Sequence, residues 1–145
     1  MRDHPNCFLV NRCYDAFAAG ALDRLREVLA PDVVWHEPGR SPIAGDHKGP
    51  DGIADFLQRL HMLSRGTLSV ELIDVMVNAE RAVAIQRVTA QVGERTLDVI
   101  DALDFEIHGG QITEISVYQQ DAYAFDDFWS AAGIGLYGKS LQSVT

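Results

Sequence analysis

Basic residues are scarce in this chain: 12 Lys and Arg stand against 21 Asp and Glu, a formal net charge of −9 over 145 residues. Such a balance offers no basic patch to a phosphate backbone and no polybasic anchor to an anionic membrane, which argues against nucleic acid and lipid surfaces as partners. Long apolar runs are missing too. Nothing approaches the roughly 20 residues needed to span a bilayer, and the opening M-R-D-H-P-N lacks the cationic start and apolar run of a secretory signal, so a cytoplasmic location is expected. Cysteine is nearly absent. Cys7 and Cys13 lie six apart on a predicted helix, where a rise of about 1.5 Å per residue sets their Cα atoms beyond the reach of a disulfide. Free thiols are expected, with a catalytic thiol the lesser alternative, since no His stands at a telling distance. The five histidines (His4, His36, His47, His61 and His108) show no H-x-x-x-H pair. Neither a metal nor another cofactor is expected.

What is present is apolar residue in quantity, 47% of the chain, enough for one domain over 1–145 with a core of about 6–130. Asn6 is read as the cap of a first helix whose apolar positions Leu9, Val10, Cys13, Tyr14 and Phe17 keep a three-four spacing up to Gly20. A second helix is read over Ala21–Ala30, ended by Pro31, then a short strand over Val33–Glu37. The Pro- and Gly-rich stretch 38–52 reads as a loop, followed by a third helix at about Ile53–Ser64 with Ile53, Phe56, Leu57 and Leu60 on its buried side. Strands follow at about Leu68–Val77, Ala82–Val92, Arg95–Ile107 and Ile112–Gln120. A short last helix is expected at Ala122–Trp129, and the remainder, about 131–145, reads as a loose tail. Helices followed by a run of strands suggest an α+β domain, a curved antiparallel sheet wrapped around the N-terminal helices to form a cone-shaped pocket.

One strand carries the strongest signal. With a period of two, Leu97, Val99, Asp101, Leu103, Phe105 and Ile107 share a face, which places Asp101 in the middle of an apolar stripe. An unpaired ionised carboxylate there costs several kcal/mol, roughly, unless it takes up a proton or finds donors. A buried Asp that merely hydrogen-bonds a loop is the structural alternative, and structural networks also perturb pKa values. Two more polar residues share the interior by phase. Tyr14 lies on the buried stripe of the first helix, where its hydroxyl needs a partner; an ordinary core aromatic is the plainer reading. Glu37 ends V-V-W-H-E on the same face as Val33 and Trp35, and the alternative is a solvated strand end. His36 points to the opposite face. The pocket wall is expected to include Trp35, Phe56, Leu60, Val99, Leu103 and Tyr118.

The stretches R-C-Y-D (12–15), V-W-H-E-P-G (34–39), S-P-I-A-G (41–45), G-I-A-D-F (52–56), L-D-V-I-D (97–101) and H-G-G-Q-I (108–112) resemble bacterial ketosteroid isomerases and their SnoaL-like relatives in the nuclear transport factor 2-like superfamily. The resemblance runs from about Asn6 to Asp121. It implies a cystatin-like fold and catalytic roles: Tyr14 and Asp101 match the two oxyanion donors, and Glu37, directly before Pro38, matches the Asp that serves as general base. Leu29 and Leu57 stand where the isomerase pocket has further tyrosines, and the loop 40–52 is longer than in the isomerases. The implied chemistry is cofactor-independent proton transfer next to a carbonyl of a small apolar molecule. A carboxylate takes the proton, and a carboxylic acid kept neutral by an apolar site helps hold the oxyanion. Other readings stand beside it: a SnoaL-like polyketide cyclase, closing a ring by aldol chemistry with the same groups, or a non-catalytic small-molecule-binding or dimerisation module. An epoxide-hydrolase-like Asp–Arg–Asp relay is disfavoured, because Arg95 lies six residues from Asp101 along the strand, about 20 Å. By analogy with the family, the chain is expected to form a homodimer.

Overall fold

Eight-tenths of the sheet's length comes from four consecutive strands joined by tight turns. The computed structural model describes residues 3–144, in the order α1 (Pro5–Ala18), a 3-10 segment (Leu22–Glu27), β1 (Leu29–Glu37), β2 (Gly45–Lys48), α2 (Gly49–Leu63), β3 (Ser69–Val77), β4 (Arg81–Val92), β5 (Arg95–His108), β6 (Gln111–Gln119) and α3 (Ala122–Val144). One six-stranded sheet has the order β2-β1-β6-β5-β4-β3. The chain is α+β, with the sheet's inner face packed against the helices. Not every pair is antiparallel as expected: β1 runs parallel to β6, because the long excursion through β2 to β5 returns the chain to its side. Register shifts between Leu72 and Asp74 and between Glu106 and Ile107 bend the long strands, as bulges do, and give the sheet its curvature. No helix among the described residues is long and apolar enough to cross a membrane.

Local chemistry explains where the sequence was misleading. His4, not Asn6, caps α1: its Nδ1 accepts the Asn6 N–H at 3.0 Å, and Pro5 supplies the fixed φ that suits a first helical turn. The Asn6 side chain instead donates to the carbonyls of Asn78 and Ala79, at 2.8 and 3.1 Å, tying the helix start to the β3–β4 turn. The second helix is only the six-residue 3-10 segment, and Leu29, Ala30 and Pro31 already belong to β1. Pro31, with no N–H to give a ladder, sits where the β1–β6 pairing shifts register between Leu29 and Val34. β2 was hidden because Gly45–Lys48 is an edge strand with no apolar alternation. α3 extends well past Trp129: Phe125, Phe128, Trp129 and Ala132 are buried along it, and the backbone of the expected loose tail is helical to Val144. Side chains from residue 134 onward lie outside the described residues.

Candidate active site

Along β5 the burial alternates without a break from Leu97 to Ile107, and Asp101 falls on the buried side at 2% exposure. The pairing register sets Gln86 of β4 directly opposite it on one flank and Gln119 of β6 on the other. Three polar side chains thus form a row across the middle of an otherwise apolar inner face. Above that row lies an apolar cavity that is open to solvent on one side. Its walls come from α1, α2, α3 and the inner face of the sheet, and among the described residues no Lys, Arg or His lines it. Several of its lining residues, Cys13, Phe17, Leu60, Leu68 and Val70, are only half-buried, and they mark the side where the cavity meets solvent.

Tyr14, Glu37 and Asp101 all line this one cavity. Tyr14 projects from the buried stripe of α1, and its hydroxyl donates to Gln86 Oε1 at 2.6 Å. Burial, with the Cys13 and Asp101 charges adding to it, pushes its pKa above the ordinary tyrosine range. Glu37 ends β1 at 6% exposure. Its Oε1 accepts the indole N–H of Trp35 at 3.0 Å, and its Oε2 accepts the amide of Gln119 at 3.3 Å. Burial dominates its titration and raises it to about 8; the Trp35 bond opposes the rise, and the charges of Asp101 and Asp126 add to it. Asp101 is raised to about 6, again by burial, with the Gln86 amide pulling it back toward the ionised form. Its Oδ1 is buried without a hydrogen-bond partner.

The position of Glu37 is fixed from behind. After Pro38 the chain turns through Gly39 at φ +104°, and the next two backbone N–H groups, of Arg40 and Ser41, converge on the Asp126 carboxylate of α3 at 3.0 to 3.3 Å. A Cβ on Gly39 would displace the Asp126 carboxylate from the two N–H groups, and the φ of +104° itself favours glycine. This clamp seats α3 across the cavity, where Phe125 and Trp129 form part of its wall.

Of the expected wall residues, Trp35, Phe56, Leu60 and Leu103 line the cavity; Trp35 and Phe56 also pack on each other, ring centroids 5.2 Å apart. Tyr118 does not: it is 61% exposed, because the inward phase of β6 falls on Ile115, Val117 and Gln119 and turns Tyr118 outward. Val99 is buried on the inner face, but the wall there is formed by its cross-strand partner Val88. Leu29 and Leu57 line the cavity, which leaves that part of the wall apolar. Gln86 and Gln119 escaped the sequence reading although they carry the same signal as Asp101, a polar residue at an inward phase. Cys13 also lines the cavity, and burial lifts its thiol to about 12 against the opposing pull of Arg12, which favours the protonated thiol near neutral pH. Both cysteines are free. Arg95 is exposed and no arginine reaches the cavity. His36, on the outer face, lies between Asp46 and Glu114. Among the described residues, no group of three or more His, Cys, Asp and Glu side chains could hold a metal ion.

Comparison with known proteins agrees with the fold and names its family. A model of the SnoaL-like domain matches residues 10–115. The chain belongs to the SnoaL-like family. A Mycobacterium bovis protein is 34% identical over 131 residues, which cover 90% of this chain and 100% of its own length. Among solved structures, Bal32a from a soil-derived mobile gene cassette superposes with a TM-score of 0.82 at 36% identity, covering 86% of this chain and 96% of that one. A nuclear transport factor 2-like protein of Burkholderia xenovorans shares the fold with a TM-score of 0.74 at 23% identity, over 86% and 95% of the two chains. The SnoaL-like domain here thus has the fold of that nuclear transport factor 2-like protein.

Proposed function

We propose that this SnoaL-like protein is a cofactor-independent enzyme that binds a small apolar carbonyl-containing molecule and moves a proton at the carbon next to the carbonyl. Glu37 serves as the base, and Tyr14 and Asp101 hold the oxygen on which negative charge develops. One observation carries the reading: two carboxyls share an apolar cavity, one with both oxygens accepting N–H donors, the other with a buried oxygen that has no partner. A carboxylate supported by Trp35 and Gln119 is built to accept a proton. A protonated Asp101 has an O–H to give, and on a mostly apolar cavity wall that donor counts for more than it would in bulk solvent. Because both groups are raised, to about 8 and about 6, the pair holds a single proton between those values, one acid and one base together. Tyr14, whose proton faces Gln86 in the resting protein, would turn its hydroxyl to the bound oxygen.

A second reading, ring closure of a polyketide-like chain by aldol addition, uses the same base and the same oxyanion donors. Membership of the SnoaL-like family favours it, and it differs in product rather than in machinery. The proposal also takes the protein to act as a homodimer, each chain carrying its own cavity.

The test is deuterium exchange into the α-carbon of a panel of cyclic enones and aryl ketones in D2O, followed by proton NMR. Glu37→Gln is expected to lower the exchange rate by about a hundredfold or more, the usual contribution of a positioned base. Asp101→Asn, which keeps a donor, should lose less than Asp101→Leu. Exchange that is undiminished in Glu37→Gln would sink the assignment of the base. Tight binding of the panel without exchange in the parent protein would leave a non-catalytic binding module as the better description.

A further inference from the structure

Two orphaned oxygens occupy neighbouring places in the sheet. Asp101 Oδ1 and Gln119 Oε1 are both buried without a partner, and the β5–β6 register sets Asp101 directly opposite Gln119. Side chains opposite each other on one face of an antiparallel pair come within contact distance. Both oxygens are acceptors if Asp101 is ionised, and then neither can satisfy the other. A single proton on Asp101 Oδ1 turns that oxygen into a donor and satisfies both atoms at once.

The amide of Gln119 can serve both sides in two ways, which differ in where the proton sits. Its nitrogen already faces Glu37 Oε2 at 3.3 Å, so its oxygen is left for Asp101. With the amide turned over, the nitrogen would serve an ionised Asp101, and the oxygen would need a proton on Glu37. Trp35 favours the first arrangement: its indole N–H has nothing to accept with and points at Glu37 Oε1 at 3.0 Å, which suits an anion there. Every donor in the row then points the same way. The Tyr14 hydroxyl gives to the Gln86 oxygen, the Gln86 amide lies against Asp101, Asp101 gives to Gln119, and Gln119 gives to Glu37. Hydrogen bonds aligned in series polarise one another, and this series ends on the Glu37 carboxylate.

We propose that Gln119 is a positioning residue that assigns the shared proton, holding Glu37 as the carboxylate and Asp101 as the acid. This rests on the reading of the two carboxyls as base and oxyanion donor, and extends it by naming what decides which is which. The Asp101 O–H is held by Gln119 in the resting protein and turns to the bound oxygen as the Tyr14 hydroxyl turns from Gln86. Burial, Trp35, Gln86 and the neighbouring charges, counted without Gln119, rank the two the other way. Burial leaves Glu37 the weaker acid of the two, at about 8 against about 6, and the last proton would stay on the intended base. The groups that face the pair are few. Glu37 meets Trp35 on β1, Gln119 on β6, and the charges of Asp101 on β5 and Asp126 on α3; Asp101 meets Gln86 on β4, Gln119 on β6 and Tyr14 on α1. No cation among them could do the sorting.

The experiment is a carbon-13 NMR titration of the side-chain carboxyls, with Glu37 and Asp101 assigned through Glu37→Gln and Asp101→Asn. In the parent protein Glu37 is expected to titrate below Asp101. In Gln119→Met, which keeps the volume and removes the amide, Glu37 should rise and Asp101 fall by about one unit each, a tenfold change in each proton affinity, so that their order reverses. Gln86→Met should move Asp101 and leave Glu37 in place. A parent protein with Glu37 titrating above Asp101, or a Gln119→Met variant in which the two stay put or move together, would overturn the proposal. If Gln119→Met does not fold, the side-chain amide of Gln119 in the parent decides: its nitrogen-15 shift must step with both titrations, and a flat response overturns it. None of these readouts needs turnover, so absent activity on any ketone would count against the enzymatic reading while leaving the role of Gln119 to stand or fall by its own measurement.

Discussion

Asp98 and Asp101 lie three residues apart on the same strand and have moved in opposite directions. Asp98 faces outward, where the Arg87 guanidinium grips it, Nε at 2.8 Å from Oδ1, and holds its carboxyl below the usual range. Asp101 faces inward, where burial raises it and no cation answers it. The strand backbone is the same for both; the difference is the side of the sheet. Across the outer face charges are paired: Arg81 with Asp104 and Glu106, Arg87 with Asp98, His36 with Asp46 and Glu114. Across the inner face polar groups are few, uncompensated by opposite charge, and tied instead to neutral amides and hydroxyls. Pairing charges on an exposed face contributes little and interferes with nothing. Leaving two carboxyls in an apolar cavity is costly, and a site that must hand a proton back and forth needs groups whose charged and neutral forms are close in free energy.

The comparison is broken most directly by removing one aromatic from each face. Trp129 is fully buried, packs against Phe125 and Phe128 with ring centroids at 6.0 and 5.1 Å, and forms part of the cavity wall. Trp129→Ala is expected to cost about 3–5 kcal/mol in urea unfolding, the usual toll of a large-to-small change in a core. Tyr118→Ala, on the outer face, should change stability by no more than about 0.5 kcal/mol. A large loss for Tyr118→Ala would mean that the outer face is covered in solution, and the natural cover is a second copy of the chain.

How much of this was legible beforehand follows from the same distinction between faces. The four strands from β3 to β6 were readable because β4, β5 and β6 bury one side and β3 half-buries one, and alternation survives in the sequence wherever one side is wet and the other dry. Asp101 stood out for that reason, as a break in a regular stripe. β2 carried no such stripe, being a polar edge, and was read as loop. Pro31 was read as the end of a helix because a proline signals an interruption without saying of what; in the fold it sits at a register shift inside β1. Tyr118 was placed on the wrong face of a correctly found strand, a one-residue error in phase that inverts the side chain completely. The two glutamines were missed for another reason. A lone Gln at an inward phase becomes meaningful only beside a carboxyl, and the sequence did not tell which residues of β4 and β6 would lie opposite Asp101. Their partnership is a property of the register.

A pH titration of stability sharpens the contrast at the level of a single group. Burial makes the Glu37 and Asp101 carboxyls together bind protons more tightly in the folded chain, up to about 8 and about 6 against ordinary values of 4.5 and 3.8, whichever of the two Gln119 leaves ionised first. A carboxyl raised on folding contributes stability that is fully present below its unfolded pKa and is lost as pH climbs through the folded one, here for the pair between about 4 and 8. Glu37→Gln removes one of the two ionisations and with it part of the loss. The variant should therefore unfold much like its parent near pH 4.5 and be more stable than it above pH 8, by a few kcal/mol at an order-of-magnitude level. Parallel stability curves for the two proteins across that range would show that the inner face solvates the Glu37 carboxylate as well as water does, and the contrast between faces would lose its physical basis.

The outer face has its own titration, which also favours the fold at low pH but is smaller. His36 sits between two carboxylates, Nδ1 at 2.7 Å from Asp46 and Nε2 at 2.7 Å from Glu114, and the Asp46 bond first, then the Glu114 bond and both charges, raise its pKa against the opposing effect of burial. A raised histidine contributes stability that is present below the ordinary pKa of about 6.5 and disappears as pH passes through the folded value. His36→Gln should accordingly lower the melting temperature near pH 6, where both carboxylates are charged, and leave it unchanged near pH 9. Exposure keeps the effect modest: the His36 side chain is 39% accessible and its partners 53% and 45%, so water screens the pairs, and a shift of about a degree or two is expected. Salt provides the discriminating control. One molar sodium chloride shortens the Debye length to about 3 Å and should erase most of the His36 effect, while the Glu37 effect, which arises from burial rather than from a distant charge, should persist. If the two respond to salt alike, the raised titration of Glu37 comes from exposed charges around the cavity mouth, and the inner face is not the dry compartment that proton transfer by Glu37 and Asp101 requires.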